Sequence, residues 1–181
     1  MYTIYKVFYY DKIHKFKECN IYQKTLLGYF YRLSSFFYSL LGLLVLSNIK
    51  KFKKYDNRFS WKFLGLLNVI NGLVIYIGDV IYFGKKNRIV KNVDKAVSSL
   101  NMFITWPVMV LRYLLGYSKF PMIYILIHCF FGFLATYFKY MSTYELRHTK
   151  SNNCNNYMLW HGLWHSYPLF AFIYISHMIR N

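Results

Sequence analysis

Two histidines, His161 and His165, stand four residues apart in "WHGLWH", each directly preceded by a tryptophan, at the mouth of the last apolar run of the chain. On a helix that spacing places both imidazoles on one face about one turn apart, close enough for two ring nitrogens to reach one metal ion. The same pair could instead lie at a membrane interface, hydrogen-bonded to water, with Trp160 and Trp164 as interfacial anchors. Asp79 sits inside an apolar run, "VIYIGDVIYF". An ionisable group within lipid costs roughly 3 kcal/mol or more at mid-depth, so it asks for a partner. A second acid, Asp94 in "KNVDKAVSS", has an ordinary explanation at the start of a helix, through capping and the helix dipole. His128 and His177 fall elsewhere along the chain and read as hydrogen-bonded helix residues.

The elements that position these groups are apolar runs at residues 26–49, 63–83, 96–117, 120–140 and 157–178. Each is near the ~20 residues that a helix needs to cross a bilayer. The expected fold is all-α: a polytopic membrane helical bundle of about five transmembrane helices. It forms one domain over residues 26–181, preceded by a basic, aromatic, membrane-surface segment over residues 1–25. Arg32 and Arg112 fall inside two of the runs, so each helix is either shorter than its apolar limits or snorkels its cation to an interface. Pro107 should bend the third helix, "GYSKFP" should make a tight hairpin, and "MSTYELRHTKSNNCNN" reads as the longest polar linker, mobile in its Asn-rich half. With five spans, the end of the second helix and the starts of the third and fifth share one side of the membrane. Asp79, Asp94, His161 and His165 can therefore gather at one depth.

The charge balance is extreme, with 23 Lys plus Arg against 6 acids and a net charge of +17. Nucleic acid is not the expected partner, because the basic residues cluster between the apolar runs: Lys50, Lys51, Lys53, Lys54, Arg58 and Lys62, then Lys85, Lys86, Arg88, Lys91 and Lys95. Such clusters match topology signals and anionic lipid head groups. Their distribution favours an integral, multi-pass protein with a cytosolic N-terminus. No cleavable signal peptide is expected, since a long aromatic and basic tail precedes the first run. Cys19, Cys129 and Cys154 are odd in number and far apart, and are expected to be ordinary thiols. A channel would need polar groups lining several helices, and the fourth run offers only His128.

The pattern resembles the CREST superfamily of membrane hydrolases, which groups alkaline ceramidases, adipoQ-type receptors and GPI-remodelling factors. Its members share a Ser-x-x-x-His element closing the second helix, an Asp opening the third and a His-x-x-x-His pair in the last. "WHGLWH" matches the last element and "VDKAVSS" the middle one through Asp94. "DVIYF" occupies the place of the first, with Asp79 where the Ser stands and Phe83 where the His stands. The family has seven core helices, and removing two between the third and the last preserves the parity of the helix ends. The resemblance implies a metal-dependent hydrolase of lipid amides or esters, in which three His hold a zinc ion that activates water. It carries His161 and His165 into the ligand role and places Asp94 near the water. Ser98, with Ser99 beside it, is the nearest candidate for the family's hydroxyl. Phe83 cannot bind metal, but Asp79 lies one turn earlier on the same face, and two His plus one carboxylate is a legitimate zinc set. The expected partner is membrane lipid. The alternative is a non-catalytic lipid-binding or scaffolding protein in which the site has decayed.

Overall fold

A computed structural model of the protein describes residues 19–83, 87–101, 106–148 and 154–180. Most of the expected membrane-surface segment, residues 1–18, lies outside the described residues. All regular elements among them are helical: α1 (Leu26–Ser34), α2 (Phe36–Ser47), α3 (Ile49–Phe52), α4 (Trp61–Tyr76), α5 (Arg88–Ser99), α6 (Trp106–Leu114), α7 (Met122–His148), α8 (Asn155–His165) and α9 (Tyr167–Arg180). A π-helical turn, Ile77–Ile81, extends α4.

Among the described residues two helices are long and apolar enough to cross a membrane, Trp61–Ile81 and Met122–Leu146, and α1 with α2 makes a third if that pair, bent by 45°, counts as one span. The bend has a local cause. Ser34 Oγ donates to the Tyr31 carbonyl (2.9 Å) and Ser35 Oγ to that of Arg32 (3.5 Å), and such back-bonding competes with the helical ladder and bends it. Among the described residues the runs expected to form the third and fifth spans contain shorter helices, 9 residues in α6 and 11 and 14 in α8 and α9. α8 and α9 meet at Ser166, whose N–H and Oγ both turn back to the Gly162 carbonyl. Pro168 follows in the first turn of α9, where a missing N–H costs nothing.

α2 and α4 form the spine of the bundle, because glycine lets their backbones touch. A Cβ on Gly42 would lie 2.5 Å from the Gly65 carbonyl oxygen, and one on Gly72 would lie 2.3 Å from Ser39 Oγ. Small residues at helix contacts permit this approach in lipid, where packing and not water exclusion drives association. One apolar core, around Leu41, Val45, Phe52, Trp61 and Phe120, fills the far end of the spine. A second, around Ile21, Tyr31, Val80, Tyr157 and Met158, lies at the other end.

Several sequence expectations change in detail. Arg112 pairs with an acid, its Nε and Nη2 donating to Asp56 at 2.6 and 2.7 Å. Arg32 donates to the Ile21 carbonyl at 2.6 Å, tying the entering chain to α1. Pro107 is the second described residue of α6, and the residues just before it, 102–105, lie outside the described residues, as does any bend there. The segment read as a polar linker is helical through His148, because α7 continues that far. "GYSKFP" is a tight connection, with Gly116 at φ 73° closing α6. Asp94 is not a cap: Asn87 caps α5 by accepting from Val90 N–H, and Asp94 lies mid-helix. Cys19 and Cys154, expected as thiols, are joined in a disulfide with Cα atoms 5.5 Å apart. His128 shares a hydrogen bond with Tyr167 OH (2.9 Å) and His177 with Tyr124 OH (2.6 Å), as hydrogen-bonded helix residues do.

Candidate metal centre

The centre forms where the end of α4 meets α8. At the π turn Tyr82 N–H reaches the Ile77 carbonyl, five residues back, at 2.9 Å. Turns of this kind recur at functional sites because they re-aim side chains. The carbonyls left over at the helix end would be costly within lipid. Two tyrosine hydroxyls satisfy them: Tyr31 donates to the Asp79 carbonyl (3.1 Å) and Tyr22 to that of Val80 (2.6 Å). The main chain around Asp79 is thus held from α1 and from the chain that precedes it.

α8 presents His161 and His165 to this turn. Their ring centroids lie 4.5 Å apart, and the residues are 4% and 1% exposed. His161 Nε2 lies 2.9 Å from Asp79 Oδ2, and His165 Nε2 lies 3.4 Å from the same oxygen. One ligand atom from each of Asp79, His161 and His165 falls within 4.8 Å of the others. A Cβ on Gly162 would meet Phe30 Cε1 at 2.5 Å, so this glycine lets α8 press against α1.

The surroundings are aromatic. His161 packs against Tyr31, Tyr157 and Trp164 at centroid distances of 5.5, 5.1 and 5.0 Å. Phe83 lies against Tyr31 and Tyr157, forming part of this wall. Trp160 and Trp164 are half-buried: Trp160 stacks on Phe138, and Lys139 Nζ sits 3.7 Å from the centre of the Trp164 ring.

Asp94 belongs to the neighbourhood but not to the triad. A Cβ on Gly78 would lie 3.4 Å from Asp94 Cβ and Cγ, which places the Asp94 carboxyl against the residue preceding Asp79. Ser98 Oγ donates towards Asp94 Oδ1 (3.4 Å) and Asn71 Oδ1 (3.2 Å). One turn deeper, Asn101 Nδ2 donates to Asn68 Oδ1 at 3.1 Å. A polar ladder therefore runs along the α4–α5 contact, and Ser98 is committed to it. No protein-family model, curated protein or solved structure matches this chain.

Two of the buried side-chain nitrogens here lack hydrogen-bond partners, His161 Nδ1 and His165 Nε2. The second is the telling one, since Nε2 lies 3.4 Å from the Asp79 carboxylate without bonding to it. Buried polar atoms are almost always satisfied, and an orphaned imidazole nitrogen beside a carboxylate fits the role of a metal ligand. Two imidazole nitrogens and one carboxylate oxygen are also a chemically apt donor set for zinc. The sequence pattern identified all three residues of the triad. It missed Ser34, which contacts His165, the two tyrosines that hold the turn, and Lys139. The only signal for Ser34 was a pair of serines in an otherwise apolar run.

Proposed function

We propose that this is an integral membrane protein whose Asp79, His161 and His165 bind a divalent metal, zinc above others, and that it hydrolyses the amide or ester bond of a membrane lipid. The observation that carries this reading is the buried, unpartnered Nε2 of His165 3.4 Å from the Asp79 carboxylate. Bound zinc would supply a water acidified to a pKa of about 7, which is the nucleophile that hydrolysis needs. Asp94, flanking Asp79 across Gly78, is placed to hold or accept a proton beside the centre, and Ser98 orients it. The aromatic wall of Tyr31, Phe83, Tyr157 and Trp164 keeps bulk water out and suits a lipid whose scissile bond lies near its head group.

In this reading α5 with α6, and α8 with α9, complete the five crossings expected from the apolar runs. The basic connection from Lys50 to Lys62 meets anionic head groups on the opposite face. The disulfide bears on orientation. Cys19 and Cys154 lie at the end that holds the centre, and disulfides persist in oxidising compartments. The centre therefore faces a lumen or the exterior, against the cytosolic N-terminus that the charge distribution favours.

One observation favours a non-catalytic lipid binder: Phe83 removes the family's third imidazole, and the single proton of Ser98 is shared between Asn71 and Asp94. Metal analysis of purified protein tests the proposal. About one equivalent of zinc, lost in Asp79→Ala, is expected. Zinc-free protein that takes up none on titration refutes it, and zinc binding without lipid hydrolysis would select the binder.

A further inference from the structure

We infer that Ser34 is a positioning residue for His165: its oxygen accepts the Nδ1 proton and so leaves the Nε2 lone pair facing Asp79. The inference deepens the metal reading above and rests on it for its functional meaning, but its chemical core concerns one proton on one ring.

A neutral imidazole carries a single N–H, and whichever nitrogen holds it cannot bind metal. Ser34 Oγ lies 3.3 Å from His165 Nδ1 and 2.9 Å from the Tyr31 carbonyl. A carbonyl only accepts, so the shorter contact takes the one proton of the serine. What remains towards His165 is an oxygen lone pair, and Nδ1 must then be the donor. On the other side of the ring Nε2 lies 3.4 Å from Asp79 Oδ2 with no hydrogen bond between them, so no bond there holds a proton on Nε2. Both residues are buried, Ser34 at 0% and His165 at 1% exposure, so water does not supply an alternative acceptor.

Without the serine oxygen the balance reverses. Nδ1–H would be an orphaned donor, and the proton would move to Nε2, where the Asp79 carboxylate attracts it. That places a hydrogen in the position a metal would take. Ser34 thus keeps the third corner of the triad open. It does so from the same back-bonded turn that bends α1 into α2, which couples the bend to the centre. Ser35 is the internal control: it too is buried and back-bonded, to the Arg32 carbonyl, and its hydroxyl contacts neither histidine.

The test uses the full chain in detergent with 15N-labelled histidine. In zinc-free wild type the His165 signals should report Nδ1 protonated and Nε2 bare. Ser34→Ala should move the proton to Nε2 and weaken zinc binding by roughly 10–100-fold in a chelator competition, the usual cost of losing a partner to a metal-bound His. Ser35→Ala should match wild type in both, and Ser34→Thr, which restores the hydroxyl, should recover the tautomer. Protonated Nε2 in the wild type overturns the inference, as does Ser34→Ala binding zinc like wild type. Should Ser34→Ala fail to fold, the wild-type tautomer alone decides. Nδ1 protonation in a wild type that binds no zinc would sustain the tautomer and sink the metal reading, so the two failures are distinct.

Discussion

Replacing Asp56 by asparagine should lower the melting temperature at neutral pH by about 6–12 °C. The carboxylate accepts a fork from Arg112, at 2.6 Å from Nε and 2.7 Å from Nη2. It also accepts the backbone N–H groups of Arg58 and Phe59, both at 3.1 Å. Its side chain is 3% exposed and that of Arg112 is 22% exposed. Asparagine keeps the shape and the backbone bonds but loses the charge and turns an N–H towards the guanidinium. Breaking one half of a buried pair costs about 3–5 kcal/mol, and the partial exposure of Arg112 selects the lower end, about 3 kcal/mol. At roughly 2–4 °C per kcal/mol for a chain of this size, that gives the quoted shift. Burial pushes the Asp56 carboxyl up, but the Arg112 bonds and charge and the two backbone donors outweigh it and hold the group below its ordinary value. The sign for pH follows. Stability from this pair is fully present above the unfolded carboxylate value of about 3.9, and is lost as pH falls through the lower folded value. Melting followed by tryptophan fluorescence in detergent should show a constant gap between the two proteins from about pH 8 to pH 5 that closes only in stronger acid. A gap under about 2 °C at neutral pH, or one that closes near pH 6, would refute the reasoning.

Gly42→Ala should destabilise by about 1–3 kcal/mol in the same melt, because its Cβ meets backbone atoms, the Gly65 oxygen at 2.5 Å and the Val69 nitrogen at 2.7 Å, and α2 must retreat from α4. Gly132→Ala, with nothing within 4 Å of its Cβ, should be neutral or stabilising by up to about 1 kcal/mol; equal effects at the two positions would argue against the close-packed spine. In intact membranes treated with an alkylating reagent before lysis, Cys19 and Cys154 should take label only after a reductant is added; labelling of both without reductant would remove the case for an oxidising compartment.

The all-helical class was legible because long apolar runs leave the backbone no partner but itself in lipid. Helix breaks were not. Ser34, Ser35 and Ser166 interrupt apolar runs by bonding to carbonyls three or four residues back, and composition alone does not distinguish such a serine from a silent one. The triad was legible because an acid and two histidines are expensive in that setting, and helical spacing fixes which of them share a face. Asp94 was placed near the centre by the shared side of the helix ends; its ordinary explanation as a cap fails, since Asn87 caps α5, and it lies beside the centre through the contact at Gly78. The Cys19–Cys154 link joins residues 135 positions apart, a pairing that spacing could not suggest.

The π turn at Ile77–Ile81 carries one residue more than regular winding would place there. An α-helical register would rotate the residues beyond it by roughly 100° about the axis, swinging Phe83 and its neighbours around the helix and re-aiming the carboxylate before them. The direction in which Asp79 points is therefore stored in the pitch of the main chain, and a single deletion within the turn would erase it while leaving every side chain of the triad in the sequence.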